Sequence, residues 1–463
     1  MSTSDHIRLD KASASMNISG GMQMQRASAS GMNLKLNTAK QTITASLKQA
    51  KADRQRGKYA VTLNGIRFTT DNHKPRRNTG KPKRGWFDAG HLDIASDMKW
   101  IVDISNKDAV SAQLSNGSLK DAVAGIDIKN LKMQLTLMPS KVHLKNLSFQ
   151  QAEATSLNIA SADITLPSKK EGRSMSFQTS TITGHVVLAD ISRPFAQTLD
   201  KFKLPLNFTT TMSGNRDAIR FNGISVHSDN QQLNVTANGE VTHLSEKHKV
   251  DVKFYSVNLH AKTGMPETII NQFPVKKLMI TQLHKLGDIS YSGQFEVVNK
   301  SEIFKGVLTT KAGPIELSIT IDNVGKWVSG SVSTEALDIG LVFELENLGE
   351  VKAHASFKVD ISKERTARMR QTKGGKLPIG SVSATVDDCS YKKVHVHDIE
   401  MQLESDGAVA TGTITDYNKL LDLSCQFSFT DTDQMNKMKV KKAGIRLHKR
   451  KKKEKEEEDE KEE

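Results

Sequence analysis

Hydrophobic and polar residues alternate with a period of two along most of this chain. The clearest case is residues 315–322, where four branched aliphatic residues are separated by single polar residues. Successive side chains of a β-strand point to opposite faces of a sheet, so the alternation predicts strands with one apolar and one polar face. A short helical segment at 190–203 leads into a second clear run. The apolar residues that we expect to line one continuous face are Leu206, Phe208, Leu233, Val235, Ile315, Leu317, Ile319 and Ile321.

Turn-forming residues separate these runs at short intervals. Gly, Asn, Ser and Asp cluster between them, as at 213–217, where we expect the chain to reverse. Strands joined by such short turns pair in an antiparallel arrangement. The pattern therefore predicts an all-β, mainly antiparallel fold: an elongated, curled, multi-stranded sheet with an apolar inner face and a few short helices.

Two later segments indicate an internal repeat. Leu286-Gly-Asp-Ile and Leu348-Gly-Glu-Val are 62 residues apart, and in each a phenylalanine follows eight residues after the glycine. Repetition at a fixed spacing is typical of proteins that grow by adding equivalent units. Each unit is predicted to contain a strand, a short helix (258–273 or 337–347) and a new run of strands.

These patterns divide the chain into six segments. They are the N-terminal strands (1–70), a basic loop (71–84), the repeated strand-helix-meander body (85–360), a charged linker (361–376), a C-terminal meander (377–438) and a charged tail (439–463). The tail is basic and then acidic, and blocks of like charge cannot bury apolar surface, so we predict that it is disordered.

The charge of the chain leaves several kinds of partner open. The net charge is +14 and the pI is about 9.4. The clearest basic cluster, at 74–84, is interrupted by Pro and Gly, which favours an exposed loop over contact with anionic lipid headgroups. Nucleic acid is the least favoured partner, and we expect none. Cys389 and Cys425 lie in predicted strands, and both a disulfide and two free thiols are consistent with that placement.

No residue pattern indicates catalysis. The sequence has no Gly-rich phosphate loop, no Cys-x-x-Cys, no Gly-x-Ser-x-Gly and no His-Glu-x-x-His motif. His395 and His397 share one predicted strand face beside Asp398, but a third metal ligand at the usual spacing is missing. We therefore predict a protein that is not an enzyme and that has no cofactor and no metal site.

The sequence has no apolar run near the ~20 residues that a membrane-spanning helix requires. The first residues also lack the charged and then apolar pattern of a signal peptide. We expect any membrane anchor or targeting signal to lie in a missing segment or in a partner.

The predicted apolar face must be shielded from water. Each large residue left in water forgoes about 1.5–3 kcal/mol of burial, and the predicted helices are too short to cover many strands. The sheet either closes on its own side chains as a sandwich or forms a groove for acyl chains. The alternation alone is consistent with both.

Parts of the chain resemble the AsmA-like and TamB-like envelope proteins of Gram-negative bacteria, especially those of the Bacteroides group. The resemblance covers about residues 85–450 and is carried by degenerate repeat patterns. The segments that carry it are Gly85-Trp-Phe-Asp-Ala-Gly-His-Leu, Asp190-Ile-Ser-Arg-Pro-Phe, Leu204-Pro-Leu-Asn-Phe, Ser213-Gly, Val328-Ser-Gly-Ser-Val, Leu337-Asp-Ile-Gly, Leu348-Gly-Glu-Val and Lys449-Arg-Lys-Lys-Lys.

The resemblance implies a long, curled β-sheet with a hydrophobic groove, anchored in the inner membrane and extending through the periplasm. It also implies a role in outer-membrane biogenesis, through phospholipid movement or assembly of outer-membrane proteins. This chain departs from the family because it lacks the N-terminal membrane helix and is short, so it resembles the C-terminal part of such a protein. The family offers no catalytic residues.

The expected function is therefore that of a non-enzymatic cell-envelope protein that supports outer-membrane biogenesis. It would shield lipid acyl chains in a hydrophobic β-groove between membranes, in the periplasm and in association with the inner membrane. Its partners would be a phospholipid or another acyl-chain ligand and outer-membrane assembly proteins. The alternative is a β-sheet scaffold or adhesin-like module with a closed, dry core that binds proteins at its strand edges.

Overall fold

The structure is a computed structural model. It describes residues 6–17, 23–75, 88–106, 108–121, 124–168, 170–195, 200–246, 249–272, 280–344, 346–392, 394–417, 421–432 and 436–447. The predicted basic loop lies largely outside these residues, as does the predicted tail beyond residue 447.

The described residues confirm the all-β, antiparallel prediction. They form two compact units, which we call unit 1 (Met1–Lys247 with Glu267–Lys276) and unit 2 (His248–Pro266 with Lys277–Glu463). The strands of unit 1 are β1 (His6–Asn17), β2 (Gln23–Asn37), β3 (Thr42–Gln55), β4 (Lys58–Asp71), β5 (Asp93–Asp103), β6 (Val110–Gly117), β7 (Leu119–Asp121), β8 (Ile126–Leu137), β9 (Lys141–Gln151), β10 (Thr155–Thr165), β11 (Ser176–Thr179), β12 (Ile182–Val187), β13 (Pro205–Asn215), β14 (Ile219–Ser228) and β15 (Leu233–Thr242).

Unit 2 contains the remaining described strands. They are β16 (Asp251–Ala261), β17 (Ile289–Val298), β18 (Ser301–Thr310), β19 (Gly313–Asp322), β20 (Trp327–Asp338), β21 (Leu348–Asp360), β22 (Ile379–Tyr391), β23 (Val394–Asp406), β24 (Val409–Tyr417), β25 (Leu421–Asp431) and β26 (Asn436–Leu447). The described helices are a 3-10 helix (Ala89–His91), α1 (Leu188–Phe195), α2 (Met265–Ile270), α3 (Ile280–Lys285), α4 (Ile339–Phe343) and α5 (Lys363–Lys373).

Within each unit the strands pair in the order of the sequence. In unit 2, every strand from β16 to β26 pairs antiparallel with the next. In unit 1, two places in the ladder are each shared by a pair of short strands: β6 and β7 lie between β5 and β8, and β11 and β12 lie between β10 and β13. Each unit is therefore an antiparallel meander, which short turns can build without crossover connections.

The turn predicted at 213–217 shows how local chemistry reverses the chain. β13 ends at Asn215, so the strand includes Ser213 and Gly214, which the sequence pattern assigns to the turn. The Asn215 side-chain oxygen accepts hydrogen bonds from the backbone N–H groups of Asp217 (2.8 Å) and Ala218 (2.9 Å). An asparagine that caps the following backbone amides in this way stabilises a tight turn, and β14 begins at Ile219.

The repeat around Leu286 and Leu348 has a structural counterpart. Each sequence begins a strand that follows a short helix, namely β17 after α3 and β21 after α4. The aliphatic residues at matching positions, Ile289 and Val351, are both buried. The repeated motif therefore marks the point where a strand begins after a short helix, with its aliphatic residue buried.

Two of the predicted segments differ from the structure. The charge pattern predicts a linker at 361–376, but these residues contain α5, which carries mostly polar side chains and is fixed at both ends by ion pairs. The prediction of a disordered tail is wrong for residues 439–447, which belong to β26. The lysines obscure a strand pattern there, because Val440 and Ala443 are three residues apart and only a bulge puts them on the same face.

The ion pairs of α5 lead to a pH-dependent prediction. Arg365 hydrogen-bonds to the buried carboxylate of Asp360 and holds its pKa below the usual range. Lys373 Nζ lies 2.6 Å from Asp406 Oδ2, and this hydrogen bond lowers the pKa of Asp406 to about 2. Because both folded-state pKa values are depressed, the pairs stabilise the docked helix above the ordinary Asp pKa of about 4 and lose that effect as the pH falls towards about 2.

We therefore expect α5 to stay docked at neutral pH and to detach between about pH 4 and pH 2. NMR of protein labelled at arginine would follow the side-chain signal of Arg365 through this range. In Asp406→Asn the C-terminal end of the helix should be mobile at every pH. Detachment of the wild-type helix well above pH 4 would contradict the assignment to these carboxylates.

Candidate functional site

The cross-strand register of unit 2 aligns apolar residues into two continuous rows. Residues directly opposite each other in an antiparallel pair project from the same face of the sheet. The first row, one residue from each strand β16 to β26, is Val257, Gly293, Gly306, Leu317, Val332, Ala355, Ala384, Met401, Ile414, Cys425 and Ala443. The second is Phe254, Phe295, Phe304, Ile319, Gly330, Phe357, Val382, Leu403, Gly412, Phe427 and Val440. We call these two rows the apolar lane.

The opposite face of the same strands is polar. The residues between the two rows of the lane form a cross-strand row of their own on that face. From β17 to β26 it reads Gln294, Lys305, Ser318, Ser331, Ser356, Ser383, Gln402, Thr413, Gln426 and Lys442. From β17 to β26, unit 2 is therefore a sheet with two chemically distinct faces.

The lane is only partly shielded from water. Its large side chains are half-buried on most strands, and Val382, Met401 and Val440 are exposed. Most of the buried hydrophobic residues of this region instead lie at the end of the strands where α3 and α4 are attached, namely Ala261, Met265, Ile289, Ala312 and Val351. Ala408 and Ala410 are buried at the opposite end, at the start of β24. The short helices thus cover one end of the apolar face, and among the described residues of unit 2 no further layer of strands packs on the lane.

Aromatic rings form one part of the lane. The Phe295 ring lies 6.4 Å from Phe254 and 4.8 Å from Phe304, measured between ring centroids on three neighbouring strands. Such contacts contribute about 0.5–1.5 kcal/mol per pair beyond simple burial. They fix the rings against each other and leave their outer surfaces available for contact with an apolar ligand.

Glycines let neighbouring strands and rings approach closely within the lane. A Cβ atom at Gly412 would lie 2.5 Å from Cζ of Phe427, and one at Gly330 would overlap the backbone oxygen of Ser318. The Phe427 ring therefore covers the backbone of Gly412 on the adjacent strand, as aromatic residues commonly do beside glycine in sheets. These glycines keep the lane apolar while adding no side chain to it.

The Tyr291 side chain packs against the lane on its early strands, β17 and β18. Its hydroxyl donates hydrogen bonds to the backbone oxygens of Gln294 (3.1 Å) and Lys305 (3.0 Å). Burial raises the pKa of Tyr291, so the phenol stays neutral and keeps donating at physiological pH. The ring lies across the glycine pair Gly293 and Gly306 and restores the apolar surface that they lack.

The structure divides the eight predicted groove residues between the two units. Ile315, Leu317, Ile319 and Ile321 project from one face of β19 as predicted, and Leu317 and Ile319 belong to the lane. In unit 1, Phe208 and Val235 belong to a six-strand apolar row, whose members are Phe149, Leu157, Gly184, Phe208, Val226 and Val235.

Leu206 and Leu233 occupy a different environment in unit 1. They are 7% and 5% exposed, and they lie at the starts of β13 and β15. These two side chains are already covered by the protein. They belong to its core, whereas Phe208 and Val235 remain half-buried.

Two cavities open on different faces of the strands. In unit 1, a cavity of about 420 Å³ lies on the apolar face of β1–β4 and is lined mainly by alanines and Val61. In unit 2, a cavity of about 680 Å³ lies on the polar face of β21–β25, between residues such as Lys358, Gln402 and Glu404. Five members of the second row of the lane, Phe357, Val382, Leu403, Gly412 and Phe427, also line this cavity.

The predicted histidine pair and the two cysteines lie on strands β22, β23 and β25. His397 Nδ1 lies 3.0 Å from Asp388 Oδ1 on the neighbouring strand, and the side chain of His395 is outside the described part. The described residues include no cluster of three metal-binding side chains. Cys389 and Cys425 are free. They lie three strands apart on β22 and β25, which alone separates them by at least about 14 Å, and this is too far for a disulfide.

Sequence reasoning missed most of the lane. Phe254 and Val257 are three residues apart, and a bulge between them returns both to one face. Alanine and glycine members such as Ala355 and Gly412 carry little hydrophobic signal. The phenylalanines of the 62-residue repeat were a usable signal, since Phe295 and Phe357 both lie in the second row.

The described helices are all too short or too polar to cross a membrane. No protein-family model matches the sequence, and a comparison with curated proteins finds no match either.

Proposed function

We propose that this chain is a non-enzymatic cell-envelope protein of the AsmA-like and TamB-like type, which shields lipid acyl chains along the apolar lane. The observation that carries the proposal is the lane itself: two adjacent rows remain apolar through eleven strands and are left half-exposed. The ligand would be a phospholipid or another molecule with acyl chains. Its headgroup would remain in water beyond the edge of the lane.

The dimensions of the lane favour a linear ligand. Two residues along a strand span about 7 Å, and eleven strands span about 48 Å across the sheet at the usual spacing. An apolar strip of this length offers contact along an extended hydrocarbon chain. Covering the lane would recover about 25 cal/mol for each Å² of apolar surface removed from water.

The partial exposure of the lane is also relevant to the alternative function, a scaffold or adhesin-like module with a closed core. A scaffold with a closed, dry core would bury these residues against a second layer, as sandwiches do. Among the hydrophobic side chains that the structure describes in unit 2, burial at that level is found near the strand ends, at residues such as Ile289, Val351 and Ala408. This distribution favours an external apolar ligand over a closed core.

A role in outer-membrane biogenesis, with outer-membrane assembly proteins as partners, follows from the family resemblance. So does a periplasmic location in association with the inner membrane. Both are proposals that depend on the acyl-chain function, because a protein that moves lipid between two membranes must shield hydrocarbon from the water between them.

Site-specific photo-crosslinking tests the lane directly. A benzophenone amino acid placed at Phe304 should form adducts with phospholipid when the protein is incubated with phosphatidylethanolamine vesicles. The same group at Lys305, the next residue of β18 and on the polar face, is the matched control and should form few. Equal labelling at the two positions, or none at either, would overturn the proposal.

A further inference from the structure

The last described strand presents an open edge with a distinctive chemistry. Among the described residues, β26 pairs only with β25, so the backbone N–H and C=O groups along its other edge have no strand partner there. An edge of this kind is a template for a further strand, and proteins use it to bind extended peptides.

The apolar side of β26 is unusually exposed for its position in the sheet. Val440 continues the lane and Met438 continues the row beside it, yet they are 54% and 64% exposed. Their partners on β25, Phe427 and Phe429, have strands on both sides and are half-buried. One additional strand beyond β26 would therefore bring Met438 and Val440 to the burial of the rest of their rows.

The polar side of β26 carries a run of positive charge. Lys437, Lys439 and Lys442 lie opposite Thr430, Ser428 and Gln426, and Lys441 occupies the bulge between them. All four lysines are exposed, and none has a carboxylate partner within the described part of the chain. Lysines on an edge strand discourage uncontrolled pairing, and they also favour a neighbouring strand of opposite charge.

This charge argues against a second copy of the same edge as the occupant. Two β26 strands paired edge to edge would place lysines near lysines, and like charges on adjacent strands are destabilising. An acidic strand would instead meet the lysines with opposite charge, while its alternate residues covered Met438 and Val440.

We propose that the outer edge of β26 binds an extended segment of another protein by strand addition. The segment carries acidic residues on the face that meets the lysines and apolar residues on the face that extends the lane. This interaction does not require acyl-chain binding, because the backbone edge and the lysines of β26 can support it, and Val440 is the one residue of the lane that the segment would cover.

The test uses the full chain and two fluorescent peptides with alternating residues, one of valine and glutamate and the other of valine and lysine. The valine-glutamate peptide should bind, with an affinity that falls as salt is raised, and the valine-lysine peptide should not. Hydrogen exchange should show new protection at the amides of β26 that face away from β25. This protection would distinguish strand addition from a loose electrostatic contact.

Charge reversal supplies the matched comparison. The double variant Lys439→Glu/Lys442→Glu should bind the valine-glutamate peptide about tenfold more weakly than the wild type and should gain binding to the valine-lysine peptide. Lys305→Glu, a charge reversal in the same polar row but on the interior strand β18, should leave both affinities unchanged.

Several results would overturn the proposal, and the wild-type protein alone can give each of them. They are failure of the valine-glutamate peptide to bind, equal binding of both peptides, and binding without protection of β26. Self-association of the chain through β26, detected as protection of this edge that rises with protein concentration in the absence of peptide, would assign the edge to a second copy instead.

Discussion

Replacing Ile319 by glutamate should abolish lipid binding to the lane while the strands stay folded. Ile319 lies near the middle of β19 and in the second row of the lane, with Phe304 and Gly330 on either side. A carboxylate there would have to lose water to contact an acyl chain, at a cost of about 2 kcal/mol or more, which corresponds to about thirtyfold in affinity. Native mass spectrometry of the purified protein would measure the bound lipid.

The cost of Ile319→Glu to folding should be small, because the position is half-buried and the carboxylate can reach water when no ligand is present. We expect a loss of about 1 kcal/mol in the free energy of unfolding. Ser318→Glu, one residue away on the polar face, is the control and should retain lipid. A wild-type protein that carries no lipid, or equal retention by the two variants, would refute the role of the lane.

Replacing Gly330 by valine should lower the stability of unit 2 strongly. A Cβ atom at this position would overlap the backbone oxygen of Ser318 and lie 3.0 Å from Cα of Ile319, both on the neighbouring strand. A backbone cannot move aside as a flexible side chain can, so β19 and β20 would have to separate. We expect a loss of about 3 kcal/mol in the free energy of unfolding, the upper end of the usual cost of overpacking.

Gly349→Val is the matched control for this prediction. A Cβ atom there would lie 3.2 Å from the side-chain oxygen of Ser390, which can rotate away, so the loss should stay below about 1 kcal/mol. Chemical denaturation, with hydrogen exchange at the amides of β19 and β20, would compare the two variants. Equal losses would show that the close approach of these strands does not limit stability.

The fold class was predictable because it depends on local pattern. Period-two alternation and turn residues indicated antiparallel strands, and runs such as 315–322 lie in single strands with one apolar face. The same reasoning fails at the end of the chain, where Lys439, Lys441 and Lys442 have the pattern of a solvated charge run. In β26 these lysines project away from the apolar face or occupy a bulge, so a charged sequence and a strand are compatible.

The helix α5 shows a second limit of local pattern. Its sequence has no apolar stripe that would predict packing against the sheet, so composition alone indicates a linker. In the structure, pairs that are distant in sequence fix it, such as Lys373 with Asp406, and Arg365 lies 5.0 Å from the Trp327 ring. These contacts form because the ends of other strands lie beside α5 in the folded protein. The residue composition of the segment does not indicate which strand ends those are.

The sequence by itself determined that the chain forms antiparallel strands with one apolar and one polar face, since that follows from alternation within each strand. Only the tertiary structure decided which apolar residues meet. A one-residue shift in register moves a side chain to the other face, and bulges such as the one between Phe254 and Val257 set that register. Position along the strand matters as well: Leu206 shares one face of β13 with Phe208, yet it lies near the strand end and is a buried core residue. Leu317 and Ile319 lie within β19 and join glycines, alanines and phenylalanines in the apolar lane.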